Sequence, residues 1–316
     1  MRKFIIKILI LGIPAYLYAG FVLLIDPYNY FGVSSFIDND LKARTTYMIN
    51  PVLSNMLEYK NNPAPDITIS DSRFAHKDLE DIKNNTGLEF SELYAHDGLI
   101  QEFISFFRFA DTQIKLENVY ICINFSAFSE TKRNNLVESA NNIINNPFLY
   151  IFNRNVAEAS VLCLKNKIIP ADEQDLTRPS ADKKSFWLDL LNTTEIRFYK
   201  NYFYPEQYIQ KLREIGSYCR FKNIKLGFII PPTNTDMQAL IQKNNLNQYR
   251  ERFLKELSGI APVYDMDFPN SMTSDTDLYH DPNHLQKDRI SSLFEYILVN
   301  KPDSLKKYIN ITGPAY

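Results

Sequence analysis

The feature that most constrains this chain is a series of short apolar runs, rich in β-branched residues, that recur between helical stretches. Val119–Asn124 reads VYICIN, with neither charge nor alternation, as expected of a strand covered on both faces. Ile67–Ser70, Phe90–Ala95, Lys225–Ile230 and Val263–Met266 repeat the theme. Helices are expected between them at Arg73–Lys83, Ile100–Asp111, Pro205–Phe221 and Thr235–Leu257, with a last one near Leu285–Val299. Strands alternating with helices imply parallel pairing. Right-handed crossovers then put helices on both faces, which predicts a three-layer α/β fold around a doubly wound, mostly parallel sheet of about five strands. Ligands in such sheets sit at the carboxyl ends of the strands, so the loops there are where chemistry is sought.

Two segments lie outside this alternation. Between about residues 130 and 200 no strand pattern emerges, and helices are expected at Asn134–Asn145 and Leu149–Lys165, forming a helical insertion. At the N-terminus, Arg2, Lys3 and Lys7 precede Ile8–Ile25, 18 residues without a charge. At about 1.5 Å per residue such a helix nearly crosses a bilayer core. The basic flank before it and Asp26, Asp38 and Asp40 after it favour an N-terminus inside and the remainder outside. A cleaved signal peptide and a buried core helix are the competing readings, but Leu17 or Tyr18 would occupy the small-residue position a signal peptidase requires. The expected organisation is a single transmembrane signal anchor at 1–25, a stalk at 26–62 and an α/β domain at 63–316.

Composition removes several classes of function. The net charge is −2 and the basic residues are scattered, so nucleic acid is a poor partner. The three cysteines, Cys122, Cys163 and Cys219, make no C-x-x-C pair, which argues against a thiolate metal site. A Cys163–Cys219 disulfide is left open by the sequence.

The loops hold the candidate chemistry. The first strand runs into Ser70-Asp71-Ser72-Arg73, which puts Ser72 in the turn before the first helix, where free amides favour an oxyanion. Ser and Asp are also ordinary helix caps there. Near the other end, Tyr279-His280-Asp281-Pro282-Asn283-His284-Leu285 follows the last strand and holds two of the four histidines. A serine needs a base, and a histidine needs an acceptor that fixes its tautomer; Asp281 and His284 supply both from one loop. A metal site on His280, Asp281 and His284, or a plain helix cap, are the other readings. The serine chemistry itself calls for no metal and no cofactor.

Ser-Asp-Ser-Arg after strand one and Asp-x-x-His before the last helix resemble the first and last motif blocks of the SGNH (GDSL-type) hydrolases. The chain is more similar still to the membrane-anchored branch of polysaccharide O-acetylation and teichoic acid D-alanine transfer proteins. That similarity is carried by the anchor followed by Asp26-Pro27-Tyr28-Asn29-Tyr30-Phe31 and by the run from Phe228-Ile229-Ile230-Pro231-Pro232 to Tyr264-Asp265-Met266-Asp267-Phe268-Pro269. The resemblance implies Ser72 as nucleophile, His284 as base and Asp281 as its orienting acid. It implies oxyanion donors at Ser72, Gly98 and Asn124, while Gly98 also reads as a turn glycine and Asn124 as a strand-end residue. Arg73, directly after the serine, reads either as a guanidinium that holds an anionic substrate or as a surface or helix-face ion pair. The chain departs from the family at Ser70, where glycine is usual, and at Asn124, which lacks the Gly-x-Asn-Asp setting. The implied function is a serine esterase or O-acyltransferase on the outer face of a bacterial cytoplasmic membrane. It would act on an envelope glycopolymer beside a multi-spanning membrane O-acyltransferase. The alternative is a non-catalytic accessory protein that keeps the fold.

Overall fold

The computed structural model describes residues 2–129, 134–169, 182–300 and 302–314, with the backbone alone for residues 2–10. The chain divides into two compact units, Met1–Asn61 with Leu136–Arg178, and Asn62–Asn135 with Pro179–Tyr316.

In chain order the elements are α1 (Arg2–Ile25), α2 (Asn39–Ile49), α3 (Pro51–Asn61), β1 (Asp66–Ser70), α4 (Leu79–Thr86), β2 (Phe90–Tyr94), α5 (Ile100–Gln113) and β3 (Asn118–Cys122). Then come α6 (Leu136–Ile144), α7 (Pro147–Ile151), α8 (Arg154–Ile168), α9 (Lys183–Thr194), α10 (Glu206–Lys222) and β4 (Lys225–Ile230). The chain continues through α11 (Thr235–Lys243), α12 (Asn247–Ser258), β5 (Val263–Asp265), β6 (Tyr279–Asp281), β7 (His284–Leu285), α13 (Lys287–Val299) and β8 (Asn310–Thr312).

The second unit is mixed α/β. Its sheet runs β2-β1-β3-β4-β5-β8, parallel throughout except that β8 pairs antiparallel to β5. The expected sheet of five parallel strands therefore gains a sixth, antiparallel one at its edge. Asn310–Thr312 is short and exposed, so no apolar run announces it. β1 is buried along its whole length, its polar Asp66, Thr68 and Ser70 included, because it lies between β2 and β3. Phe294 of α13 fastens this side of the sheet, its ring meeting Phe74, Phe90 and Tyr120 edge-on at centroid distances of 5.8, 5.0 and 5.5 Å.

Three helix boundaries differ from expectation. The helix after β1 begins at Leu79, not Arg73, because Asp78 caps it by accepting from the Asp81 amide and His76 takes a left-handed φ of 63°. The long helix expected at Thr235–Leu257 is two, α11 and α12, broken where Asn245 adopts φ 58°. Leu149–Lys165 likewise divides into α7 and α8, each opened by an asparagine cap, Asn146 and Asn153.

The first unit is all helix among its described residues. The segment expected to be a stalk at 26–62 instead contains α2, which buries Lys42, Thr45 and Thr46, and α3, which buries Leu53, Met56 and Leu57. The expected helical insertion does not stay together either. α6, α7 and α8 belong with α1–α3, whereas α9 belongs with the sheet. Residues 130–133 and 170–181 of that expectation lie outside the described residues. Asp26-Pro27-Tyr28-Asn29-Tyr30-Phe31 closes the end of α1. The buried Asp26 carboxylate accepts from the amides of Tyr30, Phe31 and Gly32 and from the Tyr150 hydroxyl.

Among the described residues no helix is long and apolar enough to cross a membrane. The side chains of residues 1–10, including the basic flank and the start of the apolar run, fall outside them. All three cysteines are buried and free, so the Cys163–Cys219 bridge does not form.

Candidate active site

Ser72 lies just beyond β1, in a tight turn made by the amides of Phe74 and Ala75 donating to the Asp71 carbonyl. It is not at a helix N-terminus, so the expected helix-dipole contribution is absent and the turn itself must present the hydroxyl. A buried ion pair holds the loop beyond it. Glu92 of β2 accepts from the amides of His76 and Lys77 and pairs with the Lys77 ammonium, which also donates to the Phe74 carbonyl. Lys77 sits over the Phe74 ring at 4.5 Å, so a fully covered cation is met by carboxylate, carbonyl and aromatic face together.

His284 comes from β7, the second strand of the small hairpin with β6, where Asp281 pairs with it across the turn. The hairpin is pinned from outside: the Asn234 amide donates to the Pro282 carbonyl at 2.9 Å, and the Gln286 amide to the Leu278 carbonyl at 2.9 Å. Asn234 is buried just after Pro231-Pro232 and donates its side-chain amide to the Thr273 carbonyl.

These loops bring the expected catalytic residues together. Ser72 Oγ is 2.9 Å from His284 Nε2. On the far side of the ring, His284 Nδ1 lies 2.9 and 2.7 Å from the two carboxylate oxygens of Asp281. The carboxylate holds the ring proton on Nδ1, which leaves Nε2 as an acceptor facing the serine hydroxyl. Burial pushes the Asp281 carboxyl up, but the hydrogen bond and charge of His284 and the amides of Asn283 and His284 outweigh it, bringing it below its ordinary value.

The expected oxyanion and substrate residues are placed differently. The Gly98 amide donates to the Ala95 carbonyl at 3.0 Å and so is already spent in a turn. Gly98 is glycine for close packing: a Cβ there would stand 2.7 Å from the Phe103 ring and 3.0 Å from the Ala95 carbonyl. Asn124 is buried and gives its side-chain amide to Asp71 at 2.7 Å, while its carbonyl oxygen accepts from Ser126 Oγ and the Ala127 amide. Arg73 turns back as well, its guanidinium 3.0 Å from Asp71. A neighbouring carboxylate has satisfied the cation that was expected to hold an anionic substrate. Of the expected oxyanion donors, the Ser72 amide is the one with no protein acceptor among the described residues.

Asp71, which the sequence marks only as a helix cap, is therefore a hub, binding the Arg73 amide, the Arg73 guanidinium and Asn124 beside Ser72. Tyr199 is buried as well, which pushes its hydroxyl pKa up and keeps it protonated. Asn234 and the Lys77–Glu92 pair also escaped notice. Only Asp71, acidic and directly before Ser72, offered a local signal. His280 is exposed, and among the described residues no three histidine, cysteine or acidic side chains are grouped as a metal ion would need.

No family model matches the chain, and no curated protein matches its sequence. Among solved structures it is similar to a protein from Streptococcus pneumonia assigned as a platelet activating factor, at 10% identity, 82% coverage of this chain, 91% of that one and a TM-score of 0.41. A second similar structure is a protein from Desulfitobacterium hafniense DCB-2 assigned to the G-D-S-L family of lipolytic proteins. It shows 13% identity, 74% and 98% coverage, and a TM-score of 0.36. Both likenesses are too distant to bear on what this chain does.

Proposed function

We propose that this chain is an SGNH-type serine esterase or O-acyltransferase working through an acyl-serine intermediate. The reading rests on one observation: Ser72 and the Asp281–His284 pair, 212 positions apart, form a continuous hydrogen-bonded relay. In the first half-reaction His284 Nε2 takes the Ser72 proton as Oγ attacks an acyl carbonyl. The tetrahedral oxyanion then collapses, and the imidazolium returns the proton to the departing alcohol. In the second half-reaction His284 deprotonates water or an acceptor hydroxyl, which attacks the acyl-serine and restores the free enzyme. Hydrolysis and transfer differ only in that acceptor.

The substrate we propose is an envelope glycopolymer or teichoic-acid-like polymer, on the outer face of a bacterial cytoplasmic membrane. The partner would be a multi-spanning O-acyltransferase that delivers the acyl group. Support for this comes from Arg2, Lys3 and Lys7 ahead of the apolar run, which favour an inside N-terminus and make Ile8–Ile25 a single-pass anchor. Alkaline phosphatase fused after Lys60 should be active in intact cells; an inactive fusion would reverse the topology.

A second reading, a non-catalytic accessory protein with the same fold, is favoured by the spent amides of Gly98 and Asn124. One missing oxyanion donor costs about 3 kcal/mol in activation free energy. A fluorophosphonate probe separates the two. A catalytic Ser72 reacts, and Ser72→Ala or His284→Ala abolishes labelling while the circular dichroism spectrum is kept. Failure of the folded wild-type protein to label favours the accessory role.

A further inference from the structure

The anchor helix does not stand alone on its outer side. In α1, Val22 and Ile25 are fully covered, with Ile25 packed among Ile37, Leu41, Cys163 and Leu164. Tyr18 is tied one step deeper, its hydroxyl donating to the Ile151 carbonyl at 2.9 Å and its ring stacked on Phe152 at 5.8 Å. From Tyr18 to Ile25 is seven residues (25 − 18), or about 10 Å of helix. Residues 8–17, before that contact, supply only about 15 Å, roughly half of a hydrocarbon core. If α1 is the anchor proposed above, α7 lies beside it at the depth of the outer leaflet.

The side chains of α7 and its immediate neighbour suit that depth. Phe148, Leu149 and Phe152 are 74%, 50% and 57% exposed. α1 carries exposed apolar side chains of its own at Leu11, Ile13, Tyr16 and Leu17. Ser139–Asn153 contains no charged residue, and the exposed Arg154 follows immediately, where a long cationic side chain reaches the headgroups. A water-facing helix pair would carry charge on this side.

We infer that α7, with Phe148, Leu149 and Phe152, is a second membrane-inserted element, immersed in the outer leaflet and supplying the apolar depth that α1 has given up to protein packing. The occupant of this face is lipid acyl chain, and the inference rests on the anchor reading of α1.

The test places an environment-sensitive fluorophore on Phe148→Cys, Phe152→Cys, Leu17→Cys and Asp40→Cys of the full chain. Each variant is reconstituted in phosphatidylcholine–phosphatidylglycerol vesicles, and the wild-type protein, whose cysteines are buried, serves as the labelling blank. Lipids spin-labelled on the acyl chain should quench positions 148 and 152 by as large a fraction as position 17, and leave Asp40, in the first turn of α2, unquenched. Quenching at 17 with positions 148 and 152 open to aqueous iodide overturns the inference and leaves the anchor intact. Protection of 148 and 152 from both quenchers means that protein, not lipid, covers α7, which also overturns it. No quenching at 17 removes the anchor and the inference together.

Discussion

At the scale of single residues, the meeting of Ser72, His284 and Asp281 was legible because each sits in a short motif at a strand end, where a serine, an imidazole and a carboxylate pair readily. Gly98, Asn124 and Arg73 were not legible in the same way. Each was assigned a role for a free donor, yet each donor is claimed by a neighbour, the Ala95 carbonyl or the Asp71 carboxylate. A motif names the donor but not its competitor. Two linked expectations follow for Asp281. Asp281→Asn removes the charge that fixes the His284 tautomer, and should slow probe labelling by about 10⁴-fold with the fold intact. The wild-type carboxyl titrates below its ordinary 3.8 in the folded protein, so it stabilises the fold at every pH above that value. That contribution is lost as the pH falls through the lower folded value. Thermal melts should therefore show wild type more stable than Asp281→Asn at neutrality, with that advantage lost only below about pH 4. A gap that closes between pH 5 and 7 would contradict the assignment.

At the scale of elements, the strands were read nearly to the residue because apolar runs are set by burial on both faces. Lys225–Ile230 was placed at its observed bounds. Helix starts were harder. α4 begins six residues late because Glu92, nineteen positions beyond Arg73 (92 − 73), binds the intervening loop. The hairpin β6–β7 was unmarked, since it is held by the Asn234 amide rather than by its own apolar pattern. α13 gives this arrangement its stiffness: it starts three residues after His284 and drives Phe294 against Phe74, which is two residues after Ser72. Phe294→Ala should cost about 3–5 kcal/mol in chemical denaturation, the usual penalty for emptying a fully buried aromatic site. A loss below about 1 kcal/mol would mean that the helix is not fastened to the sheet as described.

At the scale of the whole molecule, the alternation of strands and helices announced the α/β unit, and the sheet was misjudged only by its exposed antiparallel edge. The division into two units was not announced. Residues 26–61 look polar and broken in sequence, yet their apolar residues pack with α6 and α8, whose pairing spans about a hundred residues of chain. Such long-range burial has no local periodicity to betray it.

The covalent step proposed at Ser72 is measured most directly by the site of acylation. After brief exposure of the full chain to p-nitrophenyl acetate and an acid quench, peptide mass spectrometry should find one acetyl group, on Ser72, and none in His284→Ala. An acetyl group on another residue, or an unmodified Ser72 in folded protein that still releases p-nitrophenol, would contradict it.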